Sequence, residues 1–202
     1  MDEAHGIRAS KPPHAPRAIR GPRAGSGLRC AFALMLAVLA ALCGPVGAAA
    51  ENAAEANLKA AFVYNFTKFV EWPSESLVGV QNGVTLCVAG ARPEIAAALA
   101  ALAGKPVQGQ ALVVKSDVRA ANLDSCHALF IGEDARALTD QARGHPGLLT
   151  VSDMPGFAES GGVIGLFSEG DRIRFAVNPQ AAQRAGLKIS SQLMKLAKVV
   201  GQ

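Results

Sequence analysis

The stretch Val84-Thr85-Leu86-Cys87-Val88-Ala89-Gly90-Ala91-Arg92-Pro93 (VTLCVAGARP) decides the fold. Residues 84–89 are a short apolar run with β-branched ends, the pattern of a buried strand. Gly90 then turns the chain. Pro93 suits the first turn of a helix, where a missing N–H costs nothing. That helix is predicted over residues 94–103, rich in alanine and stopped by Gly104. A strand without polar alternation that feeds straight into a helix is the building unit of a parallel sheet.

The rhythm repeats downstream. Residues 111–115 (ALVVK) form a second predicted strand, followed by a weak helical turn over 118–123. Residues 128–131 (ALFI) form a third, with a helix over 135–142 closed by Gly144 and Pro146. Residues 148–151 form a fourth. Then the pattern changes. Residues 163–167 and 172–177 flank Ser168-Glu169-Gly170-Asp171, which is β-hairpin chemistry. Ile173, Phe175 and Val177 share one face of it, Arg172 and Arg174 the other. Asn178-Pro179 is a cap and first-turn pair for a short helix to Gly186. Ser190 caps another, with Leu193, Leu196, Ala197 and Val200 as its apolar face.

Upstream, Leu58, Phe62, Phe66, Phe69 and Val70 recur at helical spacing, so residues 57–71 read as an amphipathic helix ended by Pro73. Tyr64 and Trp72 lie off that stripe and are candidate partner anchors. The predicted fold is therefore α/β. It is a mostly parallel twisted sheet with helices on both faces and an antiparallel hairpin at one edge, a Rossmann-like three-layer arrangement. In a 2-1-3 strand order the first and third strands are neighbours.

The first fifty residues belong to a different element. Residues 1–29 carry six basic side chains against Asp2 and Glu3, and an apolar run of 14 residues follows from Cys30 to Cys43. That run is too short to span a bilayer core of about 30 Å. Gly44, Pro45 and a series of small residues come next. This is the layout of an export signal over residues 1–50, with cleavage near Ala48 or Ala50 and a single domain over 51–202. The chain carries 20 basic and 16 acidic residues; without the lead, fourteen of each remain. The net charge of +4 thus belongs to the signal, and nothing points to a nucleic-acid partner.

Cys30 and Cys43 leave with the signal. Cys87 and Cys126 remain, an even pair in an exported chain, where a disulfide is permitted. Two buried free thiols are the alternative. Cys87 lies in the first strand and Cys126 just before the third, so a bridge is geometrically sensible.

Catalytic and cofactor signatures are missing. The turn after the first strand lacks both GxGxxG and GxxxxGK[ST]. Arg92 there could hold an anion, although an ordinary tight turn is the simpler reading. Gly161-Gly162 precedes a strand, as a hairpin or bulge feature does. His127 and His145 have no ligand-spaced partners, so no metal is expected. His127 and Cys126 are adjacent in an extended segment and point to opposite faces, so they cannot act as a pair. No GxSxG is present, and Ser190-Ser191 beside Lys188 reads as a helix cap. Asp153, Glu159, Glu169 and Asp171 read as solvated loop carboxylates. No enzyme and no cofactor are expected. A binding protein is, either for a macromolecule or for a small molecule at the carboxyl ends of the strands.

Residues 59–73 (KAAFVYNFTKFVEWP) and 161–199 (GGVIGLFSEGDRIRFAVNPQAAQRAGLKISSQLMKLAKV) resemble the YfiR family of periplasmic proteins. The resemblance covers nearly all of the exported chain. It implies a soluble periplasmic repressor that binds the periplasmic domain of an inner-membrane, YfiN-like diguanylate cyclase. An OmpA-like outer-membrane lipoprotein, YfiB-like, would sequester it, release the cyclase, raise cyclic di-GMP and promote biofilm formation. It also implies a homodimer and a fold that depends on a disulfide, with Cys87 and Cys126 at the family's cysteine positions. A second family disulfide has no counterpart here. Phe157, Glu169 and Phe175 fall where the family's partner-regulating aromatic, acidic and apolar positions lie.

Overall fold

The computed structural model describes residues 46–73 and 83–201, with side chains from Ala49 onward. The basic lead and the apolar run read as an export signal lie outside these residues, and so does most of the loop before Gly83. Ala48 and Ala50, the expected cleavage positions, fall within the first five residues of the opening helix.

That helix, α1, runs from Val46–Phe69. It starts earlier than the apolar stripe suggests, because the alanine-rich segment before Asn57 is itself strongly helix-forming. It also stops earlier. Val70–Glu71 turns extended as β1 and pairs antiparallel with Lys188–Ile189 (β10). The buried face is Ala56, Lys59, Ala60, Val63, Phe66, Thr67 and Val70. Leu58 and Phe69, expected inside, are 47% and 36% exposed. Ala56 and Ala60 on the inward face let the helix axis approach the sheet, while Leu58 and Phe69 lie off it.

The main sheet has seven strands: β2 (Thr85–Ala89), β5 (Val113–Lys115), β6 (Ala128–Ile131), β7 (Leu149–Ser152), β8 (Ile164–Glu169), β9 (Arg172–Val177) and β11 (Lys198–Val199). Their order is β11-β9-β8-β7-β6-β2-β5. Pairing is parallel from β5 to β8 and antiparallel in the β8–β9 hairpin. The first strand does lie between the second and third, as the 2-1-3 order requires. Outside the hairpin the chain adds β11, parallel to β9. Residues 197–200 were expected to continue the last helix; that helix, Ser191–Leu196, ends sooner, which leaves Leu196 72% exposed.

The two faces of the sheet are covered unequally. On one, Leu86, Val88, Ala128, Phe130, Leu149 and Val151 pack with α1, with α2 (Pro93–Ala100) and with the two late helices, α4 (Pro179–Arg184) and α5 (Ser191–Leu196). On the other, Cys87, Ala89, Leu129 and Ile131 meet Leu123, Leu138, Ala142, Met154 and Phe157. Odd and even positions of each strand thus go to opposite layers. The smaller layer is mostly 3-10 turn: Ala120–Ser125, Glu133–Leu138, and the single turn α3 (Thr139–Ala142).

One continuous helix was expected over 135–142. Ala135 breaks it, at φ −111° and ψ 21°. Its backbone N lies where a side chain on Gly90 would sit, 2.2 Å from an ideal Cβ. Close packing against the first turn therefore overrides helix propensity. The expected strand over 111–115 is likewise split. Pro106–Val107 (β3) and Gln110–Ala111 (β4) make a small hairpin before β5 begins. Gln108 and Gly109 form its turn at φ 50° and 82°. The amide of Gln108 donates to the Val70 carbonyl at 2.9 Å, which holds a non-glycine residue in the left-handed region.

The predicted caps are in place. Asn178 Oδ1 accepts the Ala181 N–H at 2.9 Å, and Ser190 Oγ accepts that of Leu193 at 3.2 Å.

Candidate partner-binding surface

Three sequence candidates lie around the hairpin, on different sides of it. Phe175 is 5% exposed and faces α1, its ring 5.0 Å from that of Phe66 and 5.8 Å from that of Phe62. Glu169 is exposed at the hairpin tip and pairs with Arg174 Nε at 3.1 Å. Both line a groove of about 410 Å³ along the outer edge of β9, with Phe167, Arg174, Leu196, Ala197 and Lys198 as the other walls.

Phe157 belongs to the opposite layer. It is 4% exposed and packs with Met154 and Ile131. Gly162 makes room for it: a Cβ there would come within 2.1 Å of the ring. Phe157 does line a smaller cavity, about 60 Å³, that shares Phe167 and Lys198 with the groove. The ammonium of Lys198 stands 5.8 Å over the Phe167 ring and 3.7 Å from Glu159. The structure thus brings Glu169 and Phe175 together and connects Phe157 to them only through the far wall.

Two residues that the sequence offered as anchors are used internally. Trp72 is buried, and its indole N–H donates to the His127 carbonyl at 3.0 Å. Tyr64 donates its hydroxyl to the Pro106 carbonyl at 2.7 Å and lies between the ammonium groups of Lys68 and Lys105. Both tie α1 and the chain after it to neighbouring loops, and neither presents a free polar tip to a partner.

Residues missed by sequence reasoning complete the surface. Leu58 and Ile173 wall a second groove, about 420 Å³, between α1 and the hairpin tip. Leu58 gave no signal of this, because helical spacing put it on the apolar stripe. Leu196 gave none, because helical spacing assigned it to the core.

The carboxyl ends of β2 and β6 close on each other. A Cβ on Gly132 would lie 2.0 Å from the Gly90 carbonyl oxygen, so the turns after β2 and β6 pack backbone to backbone. Beside them sits a charge network that the sequence did not reveal. Lys59, its side chain 8% exposed, reaches Glu55 at 2.6 Å and Asp153 at 2.7 Å. Arg92 stands 3.5 Å and 3.8 Å from the same two carboxylates. The Lys59 hydrogen bond, helped by the charges of Lys59 and Arg92, holds the Glu55 carboxyl below its ordinary range; partial burial opposes this only in part. Arg92 is thus committed to carboxylates of the chain itself, and Asp153 is no free loop residue.

Cys87 and Cys126 are joined by a disulfide, with Cα atoms 5.8 Å apart. His127 Nδ1 accepts the Thr85 N–H at 3.0 Å. A thiol–imidazole nucleophile at this position is ruled out by both bonds.

The DUF4154 family model, described as YfiR/HmsC-like, matches residues 56–198. The chain belongs to the YfiR/HmsC-like family. The YfiR/HmsC-like match starts on the buried face of α1 and ends within β11, so it takes in the groove and all of the sheet but Val199. No curated protein matches the chain. Two solved structures are similar at low identity. One is a conserved domain protein from Vibrio cholerae, at 13% identity and a TM-score of 0.43, over 70% of this chain and 60% of that one. The other is an ABC domain from Streptococcus pneumonia in complex with L-Trp, at 12% identity and a TM-score of 0.39, over 58% and 55%. The chain spans less than two thirds of either. Among the described residues of this YfiR/HmsC-like chain, no helix is long and apolar enough to cross a membrane.

Proposed function

We propose that the chain is a periplasmic repressor in cyclic di-GMP signalling. It binds the periplasmic domain of an inner-membrane diguanylate cyclase and holds that enzyme inactive. An OmpA-like outer-membrane lipoprotein captures it and relieves the repression, and the repressor works as a homodimer. The observation that carries this reading is the family match over residues 56–198. The groove beside Glu169 and Phe175 supports it, because it joins an apolar wall to exposed charges, the composition of a protein-binding patch. Interlocked backbone at Gly90 and Gly132 weighs against a small ligand between those strand ends.

The test is a reconstitution. The protein is co-expressed with export intact beside a YfiN-like cyclase, and cyclic di-GMP is measured in cell extracts. Repression by the wild type, weakened by Phe175→Ala, is the expected result. Cyclic di-GMP that is unchanged by the wild type overturns the reading. So does a purified protein whose melting temperature rises only with small metabolites.

A further inference from the structure

The outer ladder of β9 stops short. β11 pairs with Ala176 and Val177, whereas β9 begins at Arg172. Over residues 172–175 the recorded pairing is to β8 alone. The Val177 carbonyl points outward, since it accepts the Val200 N–H at 2.9 Å. Antiparallel pairing alternates every second residue, so the N–H and C=O of Ile173 and Phe175 turn the same way.

Side chains sort by face. Ile173 and Phe175 lie on the α1 side, while Arg172 and Arg174 stand exposed on the other. The groove runs alongside, and Leu196 is its exposed apolar wall. An edge with outward amides is a template for another strand. A second copy of this chain fits poorly. A two-fold axis through the pair keeps like faces together, so Arg174 would stand opposite Arg174 or Arg172 of the copy. Like charges directly across a ladder destabilise it.

We propose that the edge at residues 172–175 takes a β-strand from a partner protein, with carboxylates opposite Arg172 and Arg174 and apolar residues on the Ile173 side. This deepens the repressor reading and rests on it only for who the partner is. Glu169 already holds Arg174 while both stay exposed. An incoming carboxylate competes with Glu169 for the guanidinium, so Glu169 tunes the affinity of the edge.

The probes are two short synthetic peptides, one alternating valine with glutamate and one alternating valine with lysine, titrated by fluorescence anisotropy against the purified protein. The glutamate peptide binds about tenfold tighter or better, and its binding slows amide exchange at Ile173 and Phe175. Glu169→Gln strengthens that binding. Arg174→Glu reverses the preference. Ile173→Pro removes an outward N–H, a change that edge strands tolerate, and weakens binding about tenfold. If Ile173→Pro fails to fold, Arg174→Glu and the exchange pattern decide.

Equal affinity for the two peptides, no binding, or protection elsewhere overturns the proposal. The two readings separate cleanly. If Ile173→Pro and Arg174→Glu repress the cyclase as well as wild type does, edge pairing falls and the repressor stands. If the glutamate peptide seats on the edge but the wild type leaves cyclic di-GMP unchanged, the repressor falls and the edge stands.

Discussion

Trp72 donates its indole N–H to the carbonyl oxygen of His127 at 3.0 Å, and the two rings meet edge-on with centroids 6.4 Å apart. The bond fastens the segment leaving α1 to the start of β6, one residue from the disulfide. The same carbonyl also accepts the Leu149 N–H at 2.9 Å. Trp72→Phe therefore leaves that oxygen satisfied and should cost only about 1 kcal/mol. Trp72→Ala removes the ring from the core and should cost about 3–5 kcal/mol. Urea denaturation of both variants measures the gap, and equal losses would mean that the hydrogen bond outweighs the packing.

The disulfide closes a loop with a sequence separation of 39. Cys87→Ala, or reduction of the wild type, should lower stability by about 2–5 kcal/mol. The readout is the melting temperature with and without reductant. Both sulfurs lie in the thinner layer, where short 3-10 turns supply little packing of their own, so the loss should appear first as faster amide exchange at Leu123 and Leu138.

Lys59 is buried between Glu55 and Asp153. Lys59→Ala leaves Glu55 and Asp153 with only the half-exposed Arg92 as a partner and should cost about 1–3 kcal/mol. Adding Glu55→Gln and Asp153→Asn to Lys59→Met should recover most of that loss, since the one charge left in the network, Arg92, is half exposed and stays hydrated. Acid provides an independent check. The Glu55 carboxyl is held below its ordinary value of 4.5, so its folded form binds its proton less readily than the unfolded chain does. Its contribution is complete above the unfolded pKa and disappears as pH falls through the lowered folded value. Melting temperature against pH should drop below about pH 4.5 in the wild type and less steeply in Glu55→Gln.

Gly132→Ala places a methyl group about where the Gly90 carbonyl already sits, 2.0 Å away. Neither atom is the end of a flexible side chain. The substitution should cost about 1–3 kcal/mol or more and separate β2 from β6 at their carboxyl ends. Thermal unfolding gives the cost. A neutral outcome would show that the two turns move apart freely, and it would reopen the crevice as a ligand site.

The strand–helix order was legible because each buried strand is a continuous apolar run bounded by glycine or proline. The hairpin and both helix caps were legible because turn and cap chemistry is local. Boundaries failed where distant backbone intervened, as at Ala135 against Gly90 and at Val70, which leaves α1 to pair with Ile189. The inward face of α1 was misjudged because Ala56 and Ala60 carry no strong apolar signal, yet they are the residues that permit close approach. The surface was the least legible part. Whether Trp72 faces a partner or the His127 carbonyl depends on a contact 55 residues away, and no spacing rule encodes it. The Lys59 network is hidden for the same reason, since Lys59 and Asp153 are 94 residues apart.

The tilted packing of Phe62 and Phe66 against Phe175 bears on how the polypeptide reaches its final form. The helix is synthesised first and the strand that shields its rings among the last. Until that strand arrives, the aromatic side chains lack one wall of their final packing. Contacts of such long sequence separation slow the search for the native state. A fold closed this way is complete only once the late hairpin has met the early helix.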